Sequence, residues 1–416
     1  MPGLEIPVRG KDRARRSKPE SPEFTPYDGA PILYPFVSPR CPAGLVVSPD
    51  QRVLRAAEAV ALTAGERAGR LDRHGSFPVE DIAHLRESGL LAAPLPEALG
   101  GAGLCEPGRV DVLRAVLTTV GRGSLSLGRL YEGHVNALAL VLRYGGEGCG
   151  KLLREAAGGH LFAVWNTEPD PGGLVLDGER LHGAKSLASG AGYVTRALVT
   201  ARLPDGERQM LVVPLAPSVR ADITGWRVQG MRASATGTLD FTGLPAAEAV
   251  RVGAPGDYGR QPFFFAGAWR FLAVQLGGIE AIVNAHRAHL RATGRGGDPH
   301  QRARLGRAAQ MTEGARLFVA EAARVALREA GSPEAVIAYV FLARGAVERA
   351  GLDVIELAQR SVGLQGFMET HTLDRLTRDL ATYLRQPGPD GALDTAAAHV
   401  LATGEPLHRI WPDPVA

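Results

Sequence analysis

Cysteine, lysine and long apolar runs are all scarce in this sequence. Its 416 residues hold three cysteines, Cys41, Cys105 and Cys149. They are odd in number and widely spaced, and no CxxC or Cys/His cluster accompanies them, so neither a disulfide framework nor a metal site is indicated. Buried thiols in a reducing cytoplasm are the expected reading. No apolar run reaches the roughly 18 residues that a membrane span requires. Only Lys11, Lys18, Lys151 and Lys185 are lysine, and the arginines that supply the other basic charge are spread along the chain, a mark of genome composition. A net charge of +3 over this length gives no reason to expect nucleic acid as the main partner.

What is present is ordinary for a soluble globular protein: 45% hydrophobic and 22% charged residues, in a chain long enough for two or three packed units. The N-terminal stretch KDRARRSKPESPEF is basic and carries two prolines, but lacks the apolar stretch of a signal peptide. Residues 1–47 read as a solvated arm, with contact to a neighbouring subunit as the alternative.

From residue 48 the pattern is helical. Ser48 and Asp50 are available as caps, and Val53, Ala57, Val60 and Ala64 recur at three- and four-residue steps. EDIAHLRESG, GRVDVLRAVLTTVGR and GHVNALALVLRYG continue the theme to about residue 158. Residues 159–255 then hold short β-branched or alternating runs separated by Gly, Pro and Asp, with Asp177-Gly178 marking a tight hairpin, which predicts a small barrel or sandwich. From residue 256 helices return: FFFAGAWRFLAVQLGGIEAIVNAHRAHL is apolar around much of its circumference, and Ser332-Pro333 is a strong helix start. The fold class is α+β: a helical N-terminal domain, a middle β domain and a C-terminal helical bundle.

Five segments in register carry a resemblance. They are LRESGLLAAPLPEALGGAGL from Leu85, NTEPDPGG from Asn166, LDGERLHGAKSLASGAGYVTRALVTAR from Leu176, GMRASATGTLDFTGLP from Gly230, and GLQGFMETHTLDRLTRDLATY from Gly363. Together they resemble the acyl-CoA dehydrogenase family over roughly residues 50 to 400, which implies that the C-terminal bundle is a four-helix bundle. The resemblance implies an FAD-dependent oxidoreductase with CH–CH donors, acting on an acyl thioester or another small molecule. It also implies a homodimer or homotetramer, because that family completes its flavin site across subunits.

Site residues follow from the same resemblance. Thr167 and Ser189 match hydroxyls that bond the flavin ring, and a hydroxyl can donate to a pyrimidine oxygen or to N5. Trp165 adjoins them. Arg295 and the turn Gly363, Gln365 and Gly366 match the features that meet the flavin's diphosphate and adenosine, where Gly allows close approach and Arg forks onto phosphate. Arg270 and Trp269 open a long helix beside the expected substrate.

The sequence departs from the family at the base. Removing an α-proton from a thioester needs a carboxylate beside that carbon. The family supplies Glu nine residues after the Arg of its RD pair, and counting from Arg378 reaches Pro387. Asp390 and Glu280 are the substitute candidates. TEPDPGG also shortens the element that helps to cover flavin and thioester. Three readings stay open: a dehydrogenase with a non-standard base, a flavin-dependent monooxygenase of the same fold with His134, His371 and His399 as residues to test, and a catalytically silent flavoprotein or assembly subunit.

Overall fold

The computed structural model describes residues 48–216, 220–328, 332–385 and 388–411. The N-terminal arm, Cys41 and Pro387 lie outside the described residues. The helical first part comprises α1 (Pro49–His74), α2 (Val79–Glu87), α3 (Val110–Gly123), α4 (Leu125–Tyr144) and α5 (Cys149–Ala157). Ser48 caps α1 in a capping box with Gln51, and Gly75 ends it in the left-handed region at φ 59°.

Strands β1 (Phe162–Trp165), β2 (Val175–Asp177), β3 (Arg180–His182), β4 (Ala184–Ala188), β5 (Arg196–Arg202), β6 (Arg208–Pro214), β7 (Ala221–Asp222), β8 (Gly237–Asp240) and β9 (Val250–Val252) follow. One mixed sheet runs β3-β2-β5-β6-β9 with β1 also on β5, and a second runs β4-β8-β7. Strand β5 lies at the centre of the first sheet, and Ala197 to Ala201 are buried on both faces, as a covered strand requires. The hairpin at Asp177-Gly178 forms, with Asp177 opposite Arg180.

The apolar segment after residue 262 is not one helix. It divides into α6 (Phe263–Ala266) and α7 (Trp269–Ala292), which leaves the three phenylalanines outside the long helix. Then come α8 (Pro299–Val325), α9 (Pro333–Val362), α10 (Thr372–Tyr383), α11 (Pro389–Ala402) and α12 (Leu407–Ile410). Ser332 accepts the Ala335 N–H at 3.1 Å, so the Ser-Pro start acts as a cap. Helix α7 packs against α8, α9 and α10 and also against α3. One continuous core runs from Leu85 through Ala188 to Trp269 and Val340, so helices and sheets share it.

The crossing of α3 and α7 is close enough to exclude side chains. A Cβ on Gly277 would lie 2.1 Å from the Thr118 carbonyl oxygen and 2.6 Å from the Arg122 nitrogen. Gly277→Ala should therefore lower stability by about 1–3 kcal/mol by overpacking, read as a shifted urea midpoint. An unchanged midpoint would mean that the helices separate at no cost.

Candidate active site

The end of β1 and the end of β4 are tied together. Trp165 is buried, and its Nε1–H donates to the Ser189 carbonyl at 3.0 Å. The Ser186 N–H donates to the Thr167 carbonyl at 2.9 Å. Thr167 itself is exposed, and Ser189 is half-buried. Thr236 donates to the Ser189 hydroxyl at 3.2 Å, while Ser234 donates to the Met231 carbonyl, so the Ser189 proton is left for an outside acceptor. Between Thr167 and Ser189 stands Leu187, 60% exposed, at φ 49° in a strand whose pairing shifts register there. A left-handed, exposed leucine is a strained arrangement that the surrounding ladder holds in place. The structure thus brings Trp165, Thr167 and Ser189 to one edge, with Trp165 as support behind it.

Behind Thr167 lies a charged node that the sequence does not advertise. Lys185 is fully buried, and its Nζ donates to Glu168 Oε1 at 2.8 Å and to Thr200 Oγ1 at 3.3 Å. Arg208 forks onto both Glu168 oxygens at 3.0 Å. Burial alone would raise the Glu168 carboxyl, but Arg208 and Lys185 outweigh it and hold it below the usual carboxylate range. Burial pushes the Lys185 ammonium below its ordinary value, against the pull of Glu168. The node fixes the loop that presents Thr167. A cavity of about 530 Å³ opens beside it, lined by Asn166, Glu168, Arg208, Tyr258 and Phe264.

A second polar cluster sits between α4 and the start of α7. Glu132, 1% exposed, is paired with Arg129 and also accepts from Asn136. Asn136 in turn accepts from Arg270 Nη1 at 3.2 Å. The Arg270 Nε is buried without a hydrogen-bond partner among the described residues, and burial lowers its guanidinium pKa below the ordinary value. Trp269 is 1% exposed and belongs to the core, with Arg270 5.2 Å from its ring centre. It supports Arg270 and presents no surface of its own, because its first helical turn points into the bundle. Tyr383, from α10, is buried beside Arg129 and Glu132.

The remaining candidates lie elsewhere. Glu280 is bound to Arg122 at 2.9 Å, and burial pushes its carboxyl up although Arg122 pulls the other way. Asp390 is exposed in the first turn of α11. Arg295 donates from Nη1 to the Ser361 carbonyl at 3.2 Å, two residues before Gly363, so Arg295 and the Gly363 to Gly366 turn do come together. They sit at the far end of α7, whose 24 residues span about 36 Å at ~1.5 Å per residue. His134 is fully buried: Nε2 lies 2.7 Å from the Leu91 carbonyl and Nδ1 accepts the Phe162 N–H at 3.1 Å. Both ring nitrogens are therefore committed to the core. His371 caps α10 through Nδ1 and packs on His289, and His399 packs near Trp411. Among the described residues no group of three His, Cys, Asp or Glu could hold a metal, and no helix is long and apolar enough to cross a membrane.

Residues 48–151 match the family model for the acyl-CoA dehydrogenase N-terminal domain. In the solved structures, butyryl-CoA dehydrogenase from Megasphaera elsdenii superposes with a TM-score of 0.73 at 17% identity, over 86% of this chain and 99% of that one. The chain has the acyl-CoA dehydrogenase fold. The same fold in the FMN-bound dibenzothiophene monooxygenase from Paenibacillus sp. A11-2 gives a TM-score of 0.74 at 19% identity, over 84% and 97%. These structural likenesses carry the fold alone. By sequence, the chain is 28% identical over 201 residues to a dibenzothiophene monooxygenase of Mycolicibacterium goodii, 44% of this chain and 47% of that protein. It is 29% identical over 354 residues to an L-evernosamine nitrososynthase of a Micromonospora species, 76% of this chain and 81% of that protein. The match thus spans about half the length of the monooxygenase and most of the nitrososynthase. An acyl-CoA dehydrogenase and an FMN-bound monooxygenase are thus both structural neighbours of this chain.

Proposed function

We propose that this chain is a flavin-dependent monooxygenase of the acyl-CoA dehydrogenase fold, acting on a small molecule with flavin reduced elsewhere. The observation that carries the reading is the state of the carboxylates around Arg270. Glu132 lies within that cluster, and both its oxygens are engaged, by Arg129 and Asn136. Glu280 is committed to Arg122, and Asp390 faces solvent. Of these three carboxylates, none is left as a free base beside Arg270 for an acyl α-proton. The relatedness to a dibenzothiophene monooxygenase and a nitrososynthase points the same way.

The flavin fits the β edge. Ser189 has a hydroxyl proton to give, Thr167 has an exposed hydroxyl, and Leu187 offers an apolar platform between them. Bound there, reduced flavin would supply the electrons that activate oxygen. The chain's own part is to hold the ring edge through Thr167 and Ser189, to keep that edge rigid through Glu168, Lys185 and Arg208, and to orient a polar substrate with Arg270. FMN and FAD share the ring that this edge would hold. An adenosine half would need Arg295 and the Gly363–Gly366 turn, and their distance along α7 supports supply from a second subunit of a homodimer or homotetramer. Exposed Leu364, Phe367 and Met368 at that turn agree with such a contact.

The test is spectroscopic. The protein loaded with FMN or FAD should keep its oxidised spectrum under anaerobic acyl-CoAs of several chain lengths. Chemically reduced FMN should bind, and its reoxidation by oxygen should differ in rate from that of free reduced FMN. Bleaching by any acyl-CoA would overturn the proposal in favour of dehydrogenation with an unorthodox base.

A further inference from the structure

A second cavity of about 530 Å³ lies between the C-terminal end of α1 and the segment joining β7 to β8. Its lining includes Arg73, His74, Arg227 and Arg232, with Trp226 among them. Asp72 is the sole carboxylate of that lining, and it is taken up by Arg378, whose Nη2 and Nη1 reach its two oxygens at 2.7 and 3.4 Å. No carboxylate among the described residues pairs with Arg73, Arg227 or Arg232. Arg232 spends only its Nε, on the Val228 carbonyl at 3.1 Å, which leaves its terminal nitrogens available.

We propose that this cavity is a binding site for a phosphate ester. Three arginines line one open cavity, and a multiply charged oxyanion would give their forks an acceptor. Trp226 supplies a flat apolar surface for the organic part of the ester. Its indole is fixed by donation from Nε1 to the Met231 carbonyl at 3.0 Å. The wall is rigid. Met231 and Ala235 both hold left-handed φ values, 59° and 44°, and the Met231 N–H is clamped by Asp379 at 2.6 Å. A volume of this size accommodates a nucleotide-sized ligand.

The cavity is also joined to the β edge. The Ala191 N–H donates to the Ala235 carbonyl at 3.0 Å, and Thr236 donates to Ser189. The phosphate could therefore be that of a flavin nucleotide or that of a separate phosphorylated substrate, and the chemistry of recognition is common to both.

Isothermal titration of the full chain with inorganic pyrophosphate tests the site without flavin or turnover, so its outcome stands apart from the monooxygenase proposal. Wild-type protein should bind pyrophosphate with an affinity that falls as salt rises. Arg227→Gln, a change at an exposed side chain, should weaken it about tenfold or more, the loss expected for one charge-assisted contact. Arg232→Gln should act in the same direction, with circular dichroism confirming the fold of each variant. FMN against riboflavin, and uridine diphosphate, then separate the sources. If FMN loses affinity in Arg227→Gln and riboflavin does not, the phosphate is the flavin's. If uridine diphosphate loses affinity and FMN does not, it is a substrate's. Absence of pyrophosphate binding, or equal affinity in wild type and both variants, overturns the proposal.

Discussion

Arg378→Ala should destabilise the fold by about 3 kcal/mol, the cost of leaving a buried charge without its partner. Arg378 holds three segments at once: Asp72 of α1 and Asp374 of α10, each at 2.7 Å, and the Gln229 carbonyl before the Met231 turn. The Asp72 side chain is only 6% exposed, so its carboxylate cannot recover water when the guanidinium is gone. Burial works against the charge of Arg378, yet the two aspartates outweigh it and hold its proton more tightly than usual. Lysine at this position would keep the charge and lose the fork, so Arg378→Lys should fall between wild type and alanine. Urea denaturation near neutral pH reads the effect. An alanine variant within about 0.5 kcal/mol of wild type, the range of an ordinary surface change, would show that this node carries no load.

Acid should drain a comparable amount of stability through His134. Its neutral ring donates from Nε2 to the Leu91 carbonyl and accepts the Phe162 N–H at Nδ1, so a second proton would set one N–H against another. Burial pushes its pKa down to about 4, from 6.5 when unfolded. The unfolded chain therefore takes the proton first as pH falls. The stability held by the neutral ring is complete above pH 6.5 and is lost progressively down to about 4, amounting to ~3 kcal/mol. His286, also fully buried and pushed to about 4, acts in the same direction. His134→Gln should be less stable at pH 7.5, because a flexible amide loses the ring's packing against Tyr131 and Phe162, but its decline from pH 6.5 to 4.5 should be shallower. A variant that loses stability over that range as steeply as wild type would refute the assignment.

Local signals were the legible ones. Ser48, Ser332-Pro333, Asp177-Gly178 and the alternating strands each act within a few residues of themselves, and each did what its chemistry predicts. The β edge could be approached through the resemblance around Asn166 and Lys185, but its support could not. Lys185 finds Glu168 across 17 residues and Glu168 finds Arg208 across 40, and nothing in the spacing announces either pairing. His134 illustrates the opposite error: a histidine on a helix invites a role in proton transfer, and only the three-dimensional neighbours show that both nitrogens are occupied. Trp269 is similar, since an aromatic at the mouth of a helix can face the ligand or the core, and here it is core. The division of the apolar segment into α6 and α7 rests on packing that the run of apolar residues does not encode. The arginine and aspartate of the RD pair, useful at first only as a ruler toward Pro387, turn out to be the clasp that joins α1, α10 and the Met231 turn.

That clasp joins positions 306 residues apart, and it sets the order in which a growing chain can mature. A ribosome must make 378 of the 416 residues before Asp72 meets its cation. Helix α3 likewise waits for α7 before its glycine face is covered. The first helices therefore emerge with apolar faces and a carboxylate that only the chain from Trp269 onward can satisfy. A nascent chain stalled midway would be a client for chaperones rather than a finished half, and a fragment ending at residue 151, however clear its family signature, would aggregate on its own.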